Sequence, residues 1–493
     1  MRPAPRRLAA AALLGALLPT LGAARGVRIE RAAIRAQRLL AAGFNPDPVK
    51  LRLPPVRPLS AVARLGRHLF FDPRLSGSGR LSCATCHSPA QAYGPPGAAA
   101  VALGGPTLHT PGVRAVPSLR YLYRQPPFTI GPDLQNGTDV PVPLRRQVRS
   151  AATHRRVRKS AGQPFAASVN LVPQGGLFWD GRVNTLEQQA NGPLLNPAEM
   201  DGGSARAVAA KLRRGPYART FLRLFGPAVF DNAHLAVAEA MFAIARFEIE
   251  DPSFHPFSSK FDAWLEGKAR FTPAERRGYE LFNDPNKGNC AACHLDRPGP
   301  DRLPPLLTDF QYEALGVPRN PAIAANRNPR YYDLGLCGPY RANLRAEHQY
   351  CGMFLTPSLR NVAIRHVFFH NGVFHTLRQV LDWYVNRDLH PGRFYPRNAA
   401  GQVVKFNDLP RRYRNNVDTT DAPFNRQAGE RAALTGRQIG EVIAFLKTLT
   451  DGYRPARLSL RPSLNPPGPS PHSATGVPGG RARRSDHPCG HCG

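Results

Sequence analysis

The sequence predicts a mainly α-helical protein with two helical domains and long irregular loops. Three observations carry that reading. The pattern Cys-x-x-Cys-His occurs twice, at Cys83–His87 and Cys290–His294, 207 positions apart (294 − 87). Apolar residues at helical spacing precede each copy and resume well after it. The stretches beside the motifs, 88–176 and 299–350, are instead rich in Pro and Gly and low in helical periodicity. At 493 residues, 42% hydrophobic and 20% charged, the chain is long and apolar enough to bury a sizeable core. Those figures exclude a wholly disordered chain, a coiled coil and a collagen-like repeat.

In chain order, residues 1–24 read as a signal peptide. Arg2, Arg6 and Arg7 supply a cationic start, Leu8–Leu18 an apolar run, and Ala23/Ala24 a cleavage point. The run falls short of the ~20 residues that span a bilayer, so an exported, periplasmic protein is expected; an uncleaved anchor is the alternative. Residues 27–60 form a Pro- and Arg-rich lead-in, and Ala61–Phe71 a short amphipathic helix before the first motif. Helical patterning returns at Asn184–Leu195, Ser204–Leu224 and Asn232–Glu250. Gly267–Thr272 reads as a linker. Further helices are expected at Pro273–Phe282, Thr376–Val385 and Thr435–Thr448, the last two opening on a hydroxyl cap. Beyond Tyr453 the composition turns to Pro, Gly, Ser and Arg, as in a disordered tail.

An exported chain with eight cysteines has them bonded to something. Cys-x-x-Cys-His is the attachment signature of c-type haem. Two thiols three positions apart reach the two vinyl groups on one porphyrin edge, and the adjacent His ligates the iron. Two covalent haems c follow, one through Cys83, Cys86 and His87, the other through Cys290, Cys293 and His294. Zinc fits poorly, because no second cluster of matching spacing lies beside either motif. Cys337 and Cys351 sit in a loop-like stretch and read as a structural disulfide. Cys489-Gly490-His491-Cys492 lacks the adjacent His and lies in the tail. The boundaries expected are 46–255 for the first haem domain, 256–453 for the second and 454–493 for the tail.

Lys and Arg number 66 against 34 Asp and Glu, a formal charge of +32. Arg rises together with Ala, Pro and Gly, as a coding bias would make it, so no nucleic-acid partner is expected. The run Leu144–Lys159, with seven basic residues, reads as a solvated loop or a docking face for a donor protein.

Several blocks give the chain a family resemblance. They are Leu69-Phe70-Phe71-Asp72-Pro73-Arg74, the first motif, Phe178-Trp179-Asp180-Gly181-Arg182, Leu186-Glu187-Gln188-Gln189-Ala190 and Asn196-Pro197-Ala198-Glu199-Met200. The second motif, Thr356-Pro357-Ser358-Leu359-Arg360-Asn361-Val362 and Phe368-Phe369-His370-Asn371-Gly372 follow. Over about residues 61–450 the chain resembles the bacterial dihaem cytochrome c peroxidases. Within them it is closer to the oxidases that mature methylamine dehydrogenase.

The resemblance implies cytochrome-c-like domains, a peroxidatic first haem and an electron-transfer second haem. Trp179 matches an electron relay between the haems, Gln189 a distal amide, and Glu199 a distal carboxylate that shifts a proton during O–O cleavage. The second haem's sixth ligand falls on Tyr384, fourteen residues after His370; Met353 is the rival. Phenolate donation lowers the iron's potential. A distal His above the first haem has no secure counterpart, Thr107 standing near its place and His109 two residues on. The family's interdomain calcium uses an Asn side chain that aligns near Ala115, which leaves calcium doubtful. The function expected is reduction of hydrogen peroxide with electrons from a small cytochrome c or cupredoxin. An oxidase that modifies a partner protein, and a non-catalytic dihaem electron carrier, are the alternatives. A homodimer and the identity of the donor stay open.

Overall fold

The computed structural model describes residues 30–132 and 171–454 apart from position 32. The expected signal peptide, the basic run at 144–159 and the Cys489/Cys492 tail lie outside the described residues. Helices dominate. Those that frame the two cores are α1 (Ala61–Phe70), α2 (Leu186–Leu195), α3 (Ala205–Arg214), α4 (Ala218–Phe225) and α5 (Ala233–Glu250). Then come α6 (Lys260–Leu265), α7 (Pro273–Asn283), α8 (Leu377–Asn386) and α9 (Gly436–Lys447). Ser60, Thr185, Ser204, Thr272, Thr376 and Thr435 each accept a backbone N–H two or three residues inside a helix, which satisfies donors a helix start leaves orphaned. Among the described residues, sheet is confined to three two-stranded antiparallel ladders: β1 (Leu103–Gly104) with β2 (Thr110–Pro111), β3 (Thr129–Pro132) with β4 (Leu171–Gln174), and β5 (Tyr312–Glu313) with β6 (Phe354–Leu355).

The two motif-bearing halves repeat one packing device. The helix before each motif crosses a later helix at a glycine. A Cβ on Gly66 of α1 would lie 1.8 Å from the Ala243 carbonyl oxygen of α5, and one on Gly278 of α7 would lie 1.9 Å from that of Glu441 in α9. Only hydrogen fits there, so the helices approach backbone to backbone. Around the first crossing Leu65, Leu69, Phe70, Leu212, Phe221, Ile244 and Phe247 form one core. Around the second, Phe261, Trp264, Phe282, Trp383, Val442 and Phe445 form another.

Three details differ from the sequence reading. The stretch Ser204–Leu224 is broken into α3 and α4 at Gly215-Pro216, where a prolyl nitrogen cannot continue the helical ladder. The short helix α6 stands where none was expected, closed by a reciprocal Ser259/Asp262 capping box. The lead-in packs on the second core: the Gly43 carbonyl accepts Trp264 Nε1 at 3.0 Å, Val49 N donates to Leu265 O at 2.9 Å, and Leu51 is buried there. Residues 46–51 were expected with the first domain. Cys337 and Cys351 are joined as a disulfide, as expected.

Candidate active site

Each motif opens on a cavity. One, of about 160 Å³, is lined by Cys83, Cys86 and His87 and by Trp179, Gln189 and Glu199. The other, of about 330 Å³, is lined by Cys290, Cys293, His294 and Tyr384. Trp179 and Gln189 line both.

The motif residues suit a covalently held haem. His87 Nδ1 lies 3.1 Å from the Tyr93 carbonyl, and His294 Nδ1 lies 2.9 Å from that of Leu307. A ring whose Nδ1–H donates to a carbonyl turns a neutral Nε2 lone pair outward, as a metal ligand requires. Burial pushes both imidazoles down to about 4, so neither is charged at neutral pH. The same desolvation pushes the Cys83 and Cys290 thiols up to about 12 and raises Cys86 and Cys293 as well. That is the opposite of a dithiol-exchange site, which needs a lowered pKa.

Glu199 follows helix α2 in a turn closed by Asn196. Its Oε1 accepts Asn196 Nδ2 at 2.7 Å. Glu199 faces open space on the cavity side, yet enough protein surrounds the carboxyl for desolvation to raise its pKa, against the pull of the Asn196 hydrogen bond and of Arg182. Gly104 of β1 seats the turn, since a Cβ there would lie 2.4 Å from the Ala198 carbonyl. Gln189, near the start of α2, is 6% exposed.

Trp179 sits on a turn the backbone resists. Phe178 has φ 66°, a left-handed conformation that is unfavourable for a bulky residue. Arg182 covers the Phe178 ring at 3.6 Å. Trp179 Nε1 donates to the Ala115 carbonyl at 2.8 Å. Beside it Arg114 is ion-paired to Asp180 at 2.8 Å and Asp333 at 2.6 Å. Burial alone would raise the Asp333 carboxyl, but Arg114 overrides it and holds the group below its ordinary range. Arg341 donates to the Asp180 and Gly181 carbonyls at 2.8 and 2.9 Å. Three guanidiniums thus enclose the turn. Arg114, Asn196 and Arg341 were not singled out from the sequence; the Asn-Pro-Ala-Glu spacing was the one local signal for Asn196.

Tyr384, on α8, stacks on Phe424 with ring centroids 5.1 Å apart. Met353 is not among the residues lining the second cavity; it packs with Tyr312, Leu336 and Leu344. His109 is exposed, its Nδ1 2.6 Å from the Thr107 carbonyl, and is not among the residues lining the first cavity. Ala115 does not fit a calcium ligand. Its side chain is a methyl with no oxygen to offer, and its carbonyl accepts Trp179 Nε1.

Residues 60–270 match the family model described as di-haem cytochrome c peroxidase. The chain is 33% identical to methylamine utilization protein MauG of Paracoccus denitrificans over 400 residues, covering 79% of this chain and 89% of that protein. It is 27% identical to cytochrome c551 peroxidase of Nitrosomonas europaea, over 83% of this chain and 88% of that one. Its structure matches the diheme peroxidase BthA of Burkholderia thailandensis with a TM-score of 0.66 at 34% identity, covering 82% of this chain and 94% of that one. The paired cavities, each with its own Cys-x-x-Cys-His, and these likenesses lead to one conclusion: the chain belongs to the dihaem cytochrome c peroxidase family, whose cofactors are haems c.

Proposed function

We propose that this protein is a periplasmic peroxidase that reduces hydrogen peroxide to water, with electrons from a small cytochrome c or cupredoxin. It would carry two covalent haems c, one in each motif-bearing half, with the boundary between them near 255/256. The observation that carries the reading is that Trp179 lines both motif cavities while Glu199 and Gln189 line the first. An electron carrier has no use for a carboxyl and an amide in a cavity beside one histidine.

Bound haem supplies redox-active iron, with His87 and His294 as proximal ligands. Glu199 takes a proton from one peroxide oxygen and returns it to the other. Its raised pKa brings it nearer the operating pH, where such transfer is most effective. Asn196 holds one carboxylate oxygen and leaves the other to work. Gln189 orients the peroxide, and Trp179 passes electrons between the cavities. With His109 outside the first cavity, that residue would not have to move aside before peroxide enters.

A second reading, oxidation of a partner protein, is favoured by Tyr384. It lines the second cavity while Met353 does not, and a hard phenolate oxygen favours oxidised iron. Pyridine haemochrome analysis of the exported protein should give two haems per chain, and peroxide should be consumed with a reduced small cytochrome. One haem or none defeats both readings. Two haems with no peroxide consumption leave only a carrier.

A further inference from the structure

Among the described residues, three aromatic side chains are exposed: Phe71, Phe242 and Tyr340. Of these, Tyr340 lines one of the two motif cavities and the other two line neither. It is 41% exposed and shares the first cavity's wall with Trp179, Arg114, Arg182 and Glu199. It therefore touches both the proposed peroxide site and bulk water.

Its surroundings hold it in place. Tyr340 lies within the loop closed by the Cys337–Cys351 disulfide. Its hydroxyl is 3.1 Å from that of Tyr331. The Arg114 guanidinium lies 4.9 Å from the centre of its ring and is itself fixed by Asp180 and Asp333. A cation over the ring face disfavours a positively charged ring. Electron loss from Tyr340 must then be accompanied by loss of the phenolic proton, and the exposed hydroxyl has water to receive it. The Tyr331 hydroxyl stays behind as a hydrogen-bond partner for the oxygen.

We propose that Tyr340 is a surface oxidation site for phenols, at which substrates that do not enter the first cavity are oxidised. The inference rests on the peroxide-reducing reading. Reduction of one hydrogen peroxide to two waters draws two electrons and two protons. Tyr340 supplies the electrons one at a time, each time releasing its phenolic proton to water and becoming a neutral phenoxyl. The phenoxyl then takes a hydrogen atom from the O–H of a substrate phenol and is restored. The balance is one hydrogen peroxide plus two phenols giving two waters and two phenoxyl radicals. The shared chemistry is a phenolic hydroxyl, free or on a tyrosine side chain.

The test uses the haem-loaded protein, hydrogen peroxide and a nitroso spin trap, with the adduct located by peptide mass spectrometry. The adduct is expected on Tyr340. Tyr340→Phe should abolish it while keeping both haem absorption spectra, and Tyr331→Phe should keep it on Tyr340 with a shorter radical lifetime. In parallel, peroxide-dependent oxidation of 2,6-dimethoxyphenol and of a folded tyrosine-bearing protein should fall at least tenfold in Tyr340→Phe. A fall in the protein arm alone assigns the site to protein-borne tyrosine; a fall in the small-phenol arm alone assigns it to free phenols. An adduct elsewhere, or no loss in either arm, overturns the proposal while leaving peroxide reduction standing. A wild-type protein that consumes no peroxide with any donor overturns both.

Discussion

The indole of Trp179 donates its N–H to the carbonyl of Ala115 across 2.8 Å, and Ala115 N in turn donates to the His370 carbonyl at 2.7 Å. One residue thereby links the turn between the cavities to the loop before α8. Beside Ala115, the positive charge held by Asp180 and Asp333 is the Arg114 guanidinium. A buried ion pair of this kind is satisfied without an added cation. We predict that dialysed protein holds no stoichiometric calcium, and that EGTA shifts its melting temperature by less than about 1 °C. One calcium per chain, with melting lowered by several degrees on chelation, would show that another set of oxygens binds it.

Replacing Glu199 with Gln keeps the side chain's shape and removes its ability to carry a proton. Peroxide reduction should slow by roughly 10²-fold or more, within the ~10²–10⁴ range of general acid–base catalysis, with both haem spectra intact. Asn196→Ala should cost less, because it frees the carboxyl without removing it. Stopped-flow measurement against peroxide concentration decides the matter, and turnover at the wild-type rate in Glu199→Gln removes this residue from the mechanism.

Tyr384 and Met353 give opposite signatures. With Tyr384 as ligand, Tyr384→Phe changes the spin state of the second haem, whereas Met353→Leu leaves that haem's spectrum alone. A thioether-ligated ferric haem would instead show the long-wavelength sulfur charge-transfer band, lost on Met353→Leu. Since thioether ligation raises the potential and phenolate lowers it, a redox titration of the same variants reads the point a second way.

Glu248, on α5, is 4% exposed, has an unpartnered Oε2 and lines the first cavity. Burial, with a smaller contribution from Glu187, pushes its carboxyl up to about 8. Unfolded, the group ionises near its ordinary value of 4.5. Between those values the folded state holds a proton that the unfolded state has lost, so this group makes stability fall as pH rises from about 4.5 to 8 and adds no further slope above. The melting temperature of Glu248→Gln relative to wild type should climb by a few degrees over that window. A difference that is flat with pH would mean the carboxyl titrates normally.

The helices were legible because apolar periodicity and hydroxyl caps are local. Thr376 and Thr435 announce α8 and α9 within a residue, and the motif spacing alone marks the residues that line both cavities. The ladders were not legible, since strands as short as Leu103–Gly104 carry no alternation to read. The cage around Trp179 was equally hidden. Arg114 finds Asp180 across 66 positions and Asp333 across 219, and both acids belong to segments without regular pattern. Glu248 sits in a helix whose sequence gives no sign that one carboxyl points inward.

The mounting of Trp179 has a kinetic consequence. Phe178 is held at φ 66° with Arg182 covering its ring, the indole N–H is fixed by Ala115, and the Trp179 carbonyl accepts Leu355 N at 2.9 Å. An indole tethered at its N–H and through its own carbonyl has few alternative geometries to relax into when it gains or loses charge. Around it the Arg114 and Arg182 guanidiniums are held in ion pairs and Arg341 by two backbone carbonyls. In the relay role proposed for Trp179, the nuclear rearrangement accompanying each hop would therefore be small.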